Sequence, residues 1–237
     1  MLIELLTADM EIGQKIFYAL IMIFALTLSF SIHEFMHAFV ADWLGDPTPR
    51  SMGRLTLNPM AHMDPMGTVL LLVAGFGWGK PVMYNPNKLN RFKSYRGMNI
   101  MVHLAGVTGN FVLALISGLI YAPLAAFGNM NNPAVMTLSL AFSYTMIFSL
   151  SLLAFNLLPI PPLDGFHVLE ELFPIKLKYS EGYRKFQKFA PLIIWIVFLM
   201  GSRIPFMGSA INLIMYPFSW IINFICSGFV QLLSNFF

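Results

Sequence analysis

The chain has 237 residues, of which 57% are hydrophobic and only 11% charged, and its net charge is +3. An average soluble domain carries roughly 25% charged residues, so this chain lacks the polar surface a water-soluble fold needs and points instead to a polytopic membrane protein in a lipid bilayer. The small positive balance implies no nucleic acid, because the basic residues gather in segments that flank apolar runs.

The first spanning candidate runs from Ile16 to Ile32 and continues helically to Trp43. Glu4, Asp9 and Glu11 precede it and no basic leader is present, so no cleaved signal peptide is expected. The polar stretch "LGDPTPRSMGRLTLNPMAHMDPMGT" follows, and its breakers argue against a further helix before Gly67. "VLLLVAGFGWG", ending at Gly79, is too short to span and suits a re-entrant segment or a short strand pair buried in protein. Beyond a basic loop come spans from Met98 to Phe127 and from Ala134 to Leu158, joined by an uncharged connector. "NLLPIPPLDG" and a second basic loop, Lys176 to Lys188, precede apolar stretches at Phe189–Gly201 and Phe206–Cys226. Cys226 is the single cysteine, which leaves it a packing role.

The expected fold class is therefore an all-α polytopic membrane protein. It is a bundle of about five to six transmembrane helices with a small re-entrant or β element near the site. Residues 1–237 are expected to form one membrane-embedded domain, with a core over 15–175, C-terminal apolar helices over 189–237 and no extra soluble domain. Seven lysines and arginines lie in 50–96 and five in 176–188, two spans apart. Both groups thus share one side, which the positive-inside rule makes the cytoplasm, with the N-terminus outside.

"SIHEFMHAFV" places His33, Glu34 and His37 at the cytoplasmic end of the first span. Ionisable residues at membrane depth are costly, which points to function. His33-Glu34-Phe35-Met36-His37 is an H-E-x-x-H pattern. Residues i and i+4 share a helix face, so both imidazoles can meet one Zn²⁺, and Glu34 can take a proton from a zinc-bound water acting as nucleophile. Zinc needs a third protein ligand. The residues alone leave it open among Asp164, held in a proline-rich turn, His62 and Asp64 in "AHMDP", and the less favoured His103 and His167.

Two strings carry a family resemblance. "HEFMH" early in an apolar helix and "NLLPIPPLDG" after a later one resemble the site-2 protease family of intramembrane zinc metalloproteases, peptidase family M50. The second string matches N-x-x-P-x-P-x-L-D-G at every fixed position, and the likeness covers about residues 15–175. "RLTLNPMAHMDPMGT" and "GWGKPVMYNPNKL" look like the connecting segments of its short prokaryotic members. The resemblance implies that His33, His37 and Asp164 are the zinc ligands and Glu34 the catalytic acid/base. It implies membrane-spanning protein substrates, cut near the cytoplasmic face of the cell membrane.

"LAGVTGN" looks like the family's A-G-P-x-x-N segment, with Val107 where proline is usual. Asn110 there, and Asn156 in the second string, are candidates to orient the scissile carbonyl or stabilise its oxyanion. For Asn110 the alternative is an interhelical hydrogen bond. "GWGKPVMYN" is a candidate edge strand to which an unwound substrate adds. Two other functions compete with this one. The first is a membrane-bound zinc peptidase with a soluble catalytic face that recruits Glu170, Glu171 or Glu181. The second is a non-catalytic zinc-binding or transport protein.

Overall fold

A computed structural model of the chain describes residues 9–74, 78–178, 180–199 and 205–235. Helix α1 is Ile12–Trp43, and three short helices follow it: α2 (Thr48–Ser51), α3 (Pro59–His62) and α4 (Pro65–Ala74). After a 3-10 turn at Pro86–Lys88 come α5 (Tyr95–Phe127), α6 (Pro133–Asn156), α7 (Asp164–Leu172) and α8 (Ile175–Lys178). Helices α9 (Glu181–Leu199) and α10 (Pro205–Ser234) complete the described chain.

Four helices are long and apolar enough to cross a membrane: α1, α5, α6 and residues Asn212–Ser234 of α10. The protein is thus an all-α polytopic membrane protein with four such helices among the described residues, where the sequence suggested five to six spans. The difference is α9. It starts in the charged stretch "EGYRKFQK" and does not qualify as a span, and residues 200–204 beyond it lie outside the description.

Local chemistry explains the helix boundaries. Ser94 and Asn132 cap α5 and α6 by accepting from the N–H groups of Gly97 and Ala134, and Pro133 opens α6 without wasting a donor. The prolines expected to keep helix out of residues 45–66 instead start it. Pro59 and Pro65 are the first residues of α3 and α4, where a missing N–H costs nothing. Asp64 caps α4 through its Oδ1, 3.0 Å from the N–H groups of Met66 and Gly67. The leucine-rich run after it is therefore helical to Ala74. Of the two alternatives for this segment, a re-entrant segment or a short strand pair, the strand pair is not formed among the described residues, which hold a single antiparallel bridge, Met63 to Gly79. Residues 75–77 of that segment lie outside the description.

Helices α1, α5 and α6 pack together as the core, α10 lies against α5 and α6, and α7 lies on α5. Two buried stripes, each spaced by four residues, make the central contact. On α1 it is Ala25, Ser29, His33, His37 and Ala41, and on α5 it is Met98, Val102, Gly106, Asn110 and Ala114. Small residues recur on both, which lets the backbones approach closely. At Gly109 a Cβ would press on the Met36 side chain. The outward faces carry exposed Leu20, Phe24, Ile116, Ile120 and Ile147, as lipid contact requires.

Candidate metal centre

His33 and His37 lie on adjacent turns of α1 and face the same region of α5. Both rings are buried, with T-shaped packing and centroids 4.7 Å apart. The His37 Nδ1 lies 2.8 Å from the carbonyl oxygen of Val102. A carbonyl only accepts, so Nδ1 carries the proton and Nε2 keeps a free lone pair. Under both rings sits Gly106, where a Cβ would collide with the Nε2 of His37 and the imidazole of His33. One turn on, the amide of the fully buried Asn110 lies 3.2 Å from the Nδ1 of His33. A carbonyl, a glycine and an amide on three successive turns of α5 thus form the cradle for the two histidines.

Asp164 reaches them from the turn after α6. That turn runs through a cis Pro161–Pro162 peptide and delivers Asp164 as the first residue of α7. Gly165 packs on the backbone of Leu157 so closely that a Cβ would overlap the Leu157 carbonyl. The Asp164 Oδ2 lies 3.2 Å from His33 Nε2 and 3.3 Å from His37 Nε2, and those two nitrogens are 3.1 Å apart. Tetrahedral ligands held at ~2.0–2.1 Å from one zinc ion stand ~3.3 Å apart, so these three separations fit such a set with one position left over. Oδ2 is also buried without a well-formed hydrogen bond, as an atom meant for a cation would be. Burial pushes the Asp164 carboxyl up, but the charge and hydrogen bonds that the two facing imidazoles offer when protonated outweigh it and hold the acid below its usual range. Among the described residues, His33, His37 and Asp164 are the group able to hold a metal ion.

Glu34 is buried beside this group, its Oε2 accepting the Val82 N–H at 3.1 Å. The segment that supplies this donor is pinned at both ends. Lys80 N–H bonds to the His62 carbonyl at 2.7 Å, and Asn85 N–H bonds to the buried Asp46 carboxylate at 2.5 Å. Neither the Val82 donor nor the Val102 acceptor has a sequence signature, because both are backbone groups.

The other sequence candidates lie elsewhere. His62 is fully buried with Nε2 2.8 Å from the Thr56 carbonyl, and Asp64 caps α4. Asn156 donates to the Leu152 carbonyl of its own helix at 3.0 Å. Glu171 pairs loosely with Lys178 at 3.8 Å and Glu181 with Lys185 at 2.7 Å. Glu170 accepts from Tyr183 Oη, from Gln187 at 3.1 Å and from His167 Nδ1 at 3.0 Å. Burial pushes the Glu170 carboxyl's pKa up, but the bonds from Tyr183 and His167 prevail and hold it below the usual carboxylate range. His167 also stacks on His103 at 4.9 Å, and His103 Nε2 meets Tyr84 Oη at 3.1 Å. The sequence does not reveal this polar row, since its members come from four separate segments.

Comparison with known proteins adds a second line of observation. The profile of peptidase family M50 matches residues 66–201. The chain is 38% identical over 205 residues to the Bacillus subtilis (strain 168) protein named "Putative zinc metalloprotease YwhC", covering 84% of this chain and 90% of that one. It is 30% identical over 177 residues to the Mycobacterium tuberculosis (strain H37Rv) protein named "Putative zinc metalloprotease Rip2", with 73% of this chain and 64% of the relative aligned. The Mycolicibacterium smegmatis protein of the same name is 35% identical over 151 residues, 60% of this chain and 53% of its own length. No solved structure matches the chain.

Proposed function

Because the chain belongs to peptidase family M50, we propose that this zinc-dependent protease works inside the membrane, hydrolysing peptide bonds in or near transmembrane segments of membrane-protein substrates. In this reading His33, His37 and Asp164 are the ligands and Glu34 is the catalytic acid/base. Zinc held there supplies Lewis acidity that makes a proton easy to remove from water near neutral pH. Glu34 takes that proton and later returns it to the leaving amine, and the Val82 N–H aims its carboxylate. Val102, Gly106 and Asp164 keep the two imidazoles in one orientation throughout.

One observation carries the reading. Three ligand atoms from elements 127 residues apart in sequence meet within 4.8 Å of one another, at an end of the spanning bundle. The distribution of lysine and arginine supports placing that end at the cytoplasmic face and the N-terminus outside, in a cell membrane. Residues 1–237 act as one catalytic domain in this proposal. A substrate helix must unwind to expose a peptide bond, so glycines and prolines near the scissile site favour cleavage.

The test is cleavage of a panel of single-span proteins co-reconstituted with the purified protein in liposomes, with Glu34→Gln as control. Zinc-dependent cuts mapped within or beside the span, and lost in the control, are expected. Cuts confined to soluble regions distant from the membrane would contradict the intramembrane assignment.

A further inference from the structure

The two histidines are held from behind by chemically different partners. His37 has a backbone carbonyl, which fixes its proton on Nδ1 and frees Nε2. His33 needs the same arrangement, because its Nε2 is the atom that faces His37 and Asp164. The group behind its Nδ1 is the Asn110 side chain at 3.2 Å, fully buried between α1 and α5.

An amide has two faces, a nitrogen that donates and an oxygen that accepts, and the two ends are nearly isosteric. With the nitrogen toward His33, the ring must accept at Nδ1 and carry its proton on Nε2, which blocks a cation. That orientation also leaves the Asn110 Oδ1 buried without a donor. With the oxygen toward His33, Nδ1–H has its acceptor, Oδ1 has its donor and Nε2 is free. The ring's need for an acceptor selects the second orientation, which gives Oδ1 its donor and turns Nδ2 to the place Oδ1 leaves.

We propose that Asn110 is a positioning residue for His33, its side-chain oxygen accepting the Nδ1–H and so fixing the tautomer that presents Nε2 to the metal. The inference rests on the reading of His33 as a ligand. It gives Asn110 on α5 the role that the Val102 carbonyl has for His37, so both imidazoles are set by the stripe that also carries Gly106. Loss of such an outer partner typically weakens metal affinity by about 10–100-fold.

The experiment compares the purified full-length protein with Asn110→Ala, Asn110→Leu, Asn110→Asp and His33→Ala in one detergent. Zinc affinity is read by chelator competition, the Co²⁺-substituted absorption spectrum reports ligand geometry, and thermal unfolding checks the fold. Asn110→Ala and Asn110→Leu are expected to bind zinc about 10–100-fold more weakly, with an altered Co²⁺ spectrum. Asn110→Asp keeps an acceptor oxygen and is expected to restore both readouts to near wild type. Leucine keeps the branched shape without an acceptor, so the Leu–Asp contrast at equal thermal stability still decides if the alanine variant fails to fold. Unchanged zinc affinity in Asn110→Ala or Asn110→Leu, with affinity lost in His33→Ala, overturns this inference alone. Equal weakness of Asp, Ala and Leu variants at equal thermal stability also overturns it, leaving a packing role. Wild type without zinc, or His33→Ala with undiminished affinity, overturns it together with the ligand assignment.

Discussion

One turn of α1 separates Ser29 from His33 on the same buried stripe, and the two positions handle polarity in opposite ways. Ser29 Oγ is saturated: it lies 2.8 Å from the Ala25 carbonyl and 2.9 Å from Ser149 Oγ on α6. At His33 the polar atoms are gathered but not satisfied by one another. Three atoms of the kind that can bind a metal face a common point, and the Asp164 Oδ2 among them is buried without a well-formed hydrogen bond. A membrane bundle tolerates the first arrangement as glue between helices. The second is an arrangement that a cation from outside the chain would complete, because a buried polar group without a full set of partners is costly. Burial does not separate the two levels, since both are deep; hydrogen-bond satisfaction does.

That contrast can be pressed from its strongest consequence to its weakest. Glu34→Gln should retain zinc at the wild-type level while cleavage falls by about 10²–10⁴-fold, seen by pairing metal analysis with turnover. Gly106→Ala introduces a Cβ against both rings. Cleavage should drop by about 10²-fold and zinc affinity should fall with it, while thermal unfolding changes far less. Val82→Pro deletes the N–H that Glu34 accepts. A hydrogen bond to a charged group is worth ~1.5–3 kcal/mol, so about a 10-fold or greater loss of kcat with unchanged metal content is expected. Ser29→Ala sits at the satisfied level and should cost only ~0.6 kcal/mol in unfolding, with zinc content and turnover intact. A large loss of zinc in the Ser29 variant would erase the distinction between the two levels.

The sequence made some of this legible. H-E-x-x-H on a helix needs only local geometry, and the apolar runs predicted α1, α5 and α6 to within a few residues. Asp164 was one of several candidate third ligands on the residues alone. The family resemblance selected it, and it lies against both imidazoles where His62 and Asp64 do not. The misread segments were those where proline and glycine were taken as breakers. Pro59 and Pro65 begin helices because an N1 residue needs no N–H, and a leucine run short enough for a strand also suits the helix α4. The supports of the site were hidden for a different reason. The Val82 N–H and the Val102 carbonyl are backbone groups that every residue but proline offers, so only the fold reveals which of them is used.

The central claim is that the unsatisfied level of the stripe is a metal site completed by Asp164, and zinc per purified molecule tests it most directly. Wild type and Asp164→Ala would be compared in the same detergent, with thermal unfolding confirming that both are folded. The account predicts close to one zinc per wild-type chain and loss of most of it from the variant. Equal zinc in both proteins, or none in folded wild type after reconstitution, would contradict it.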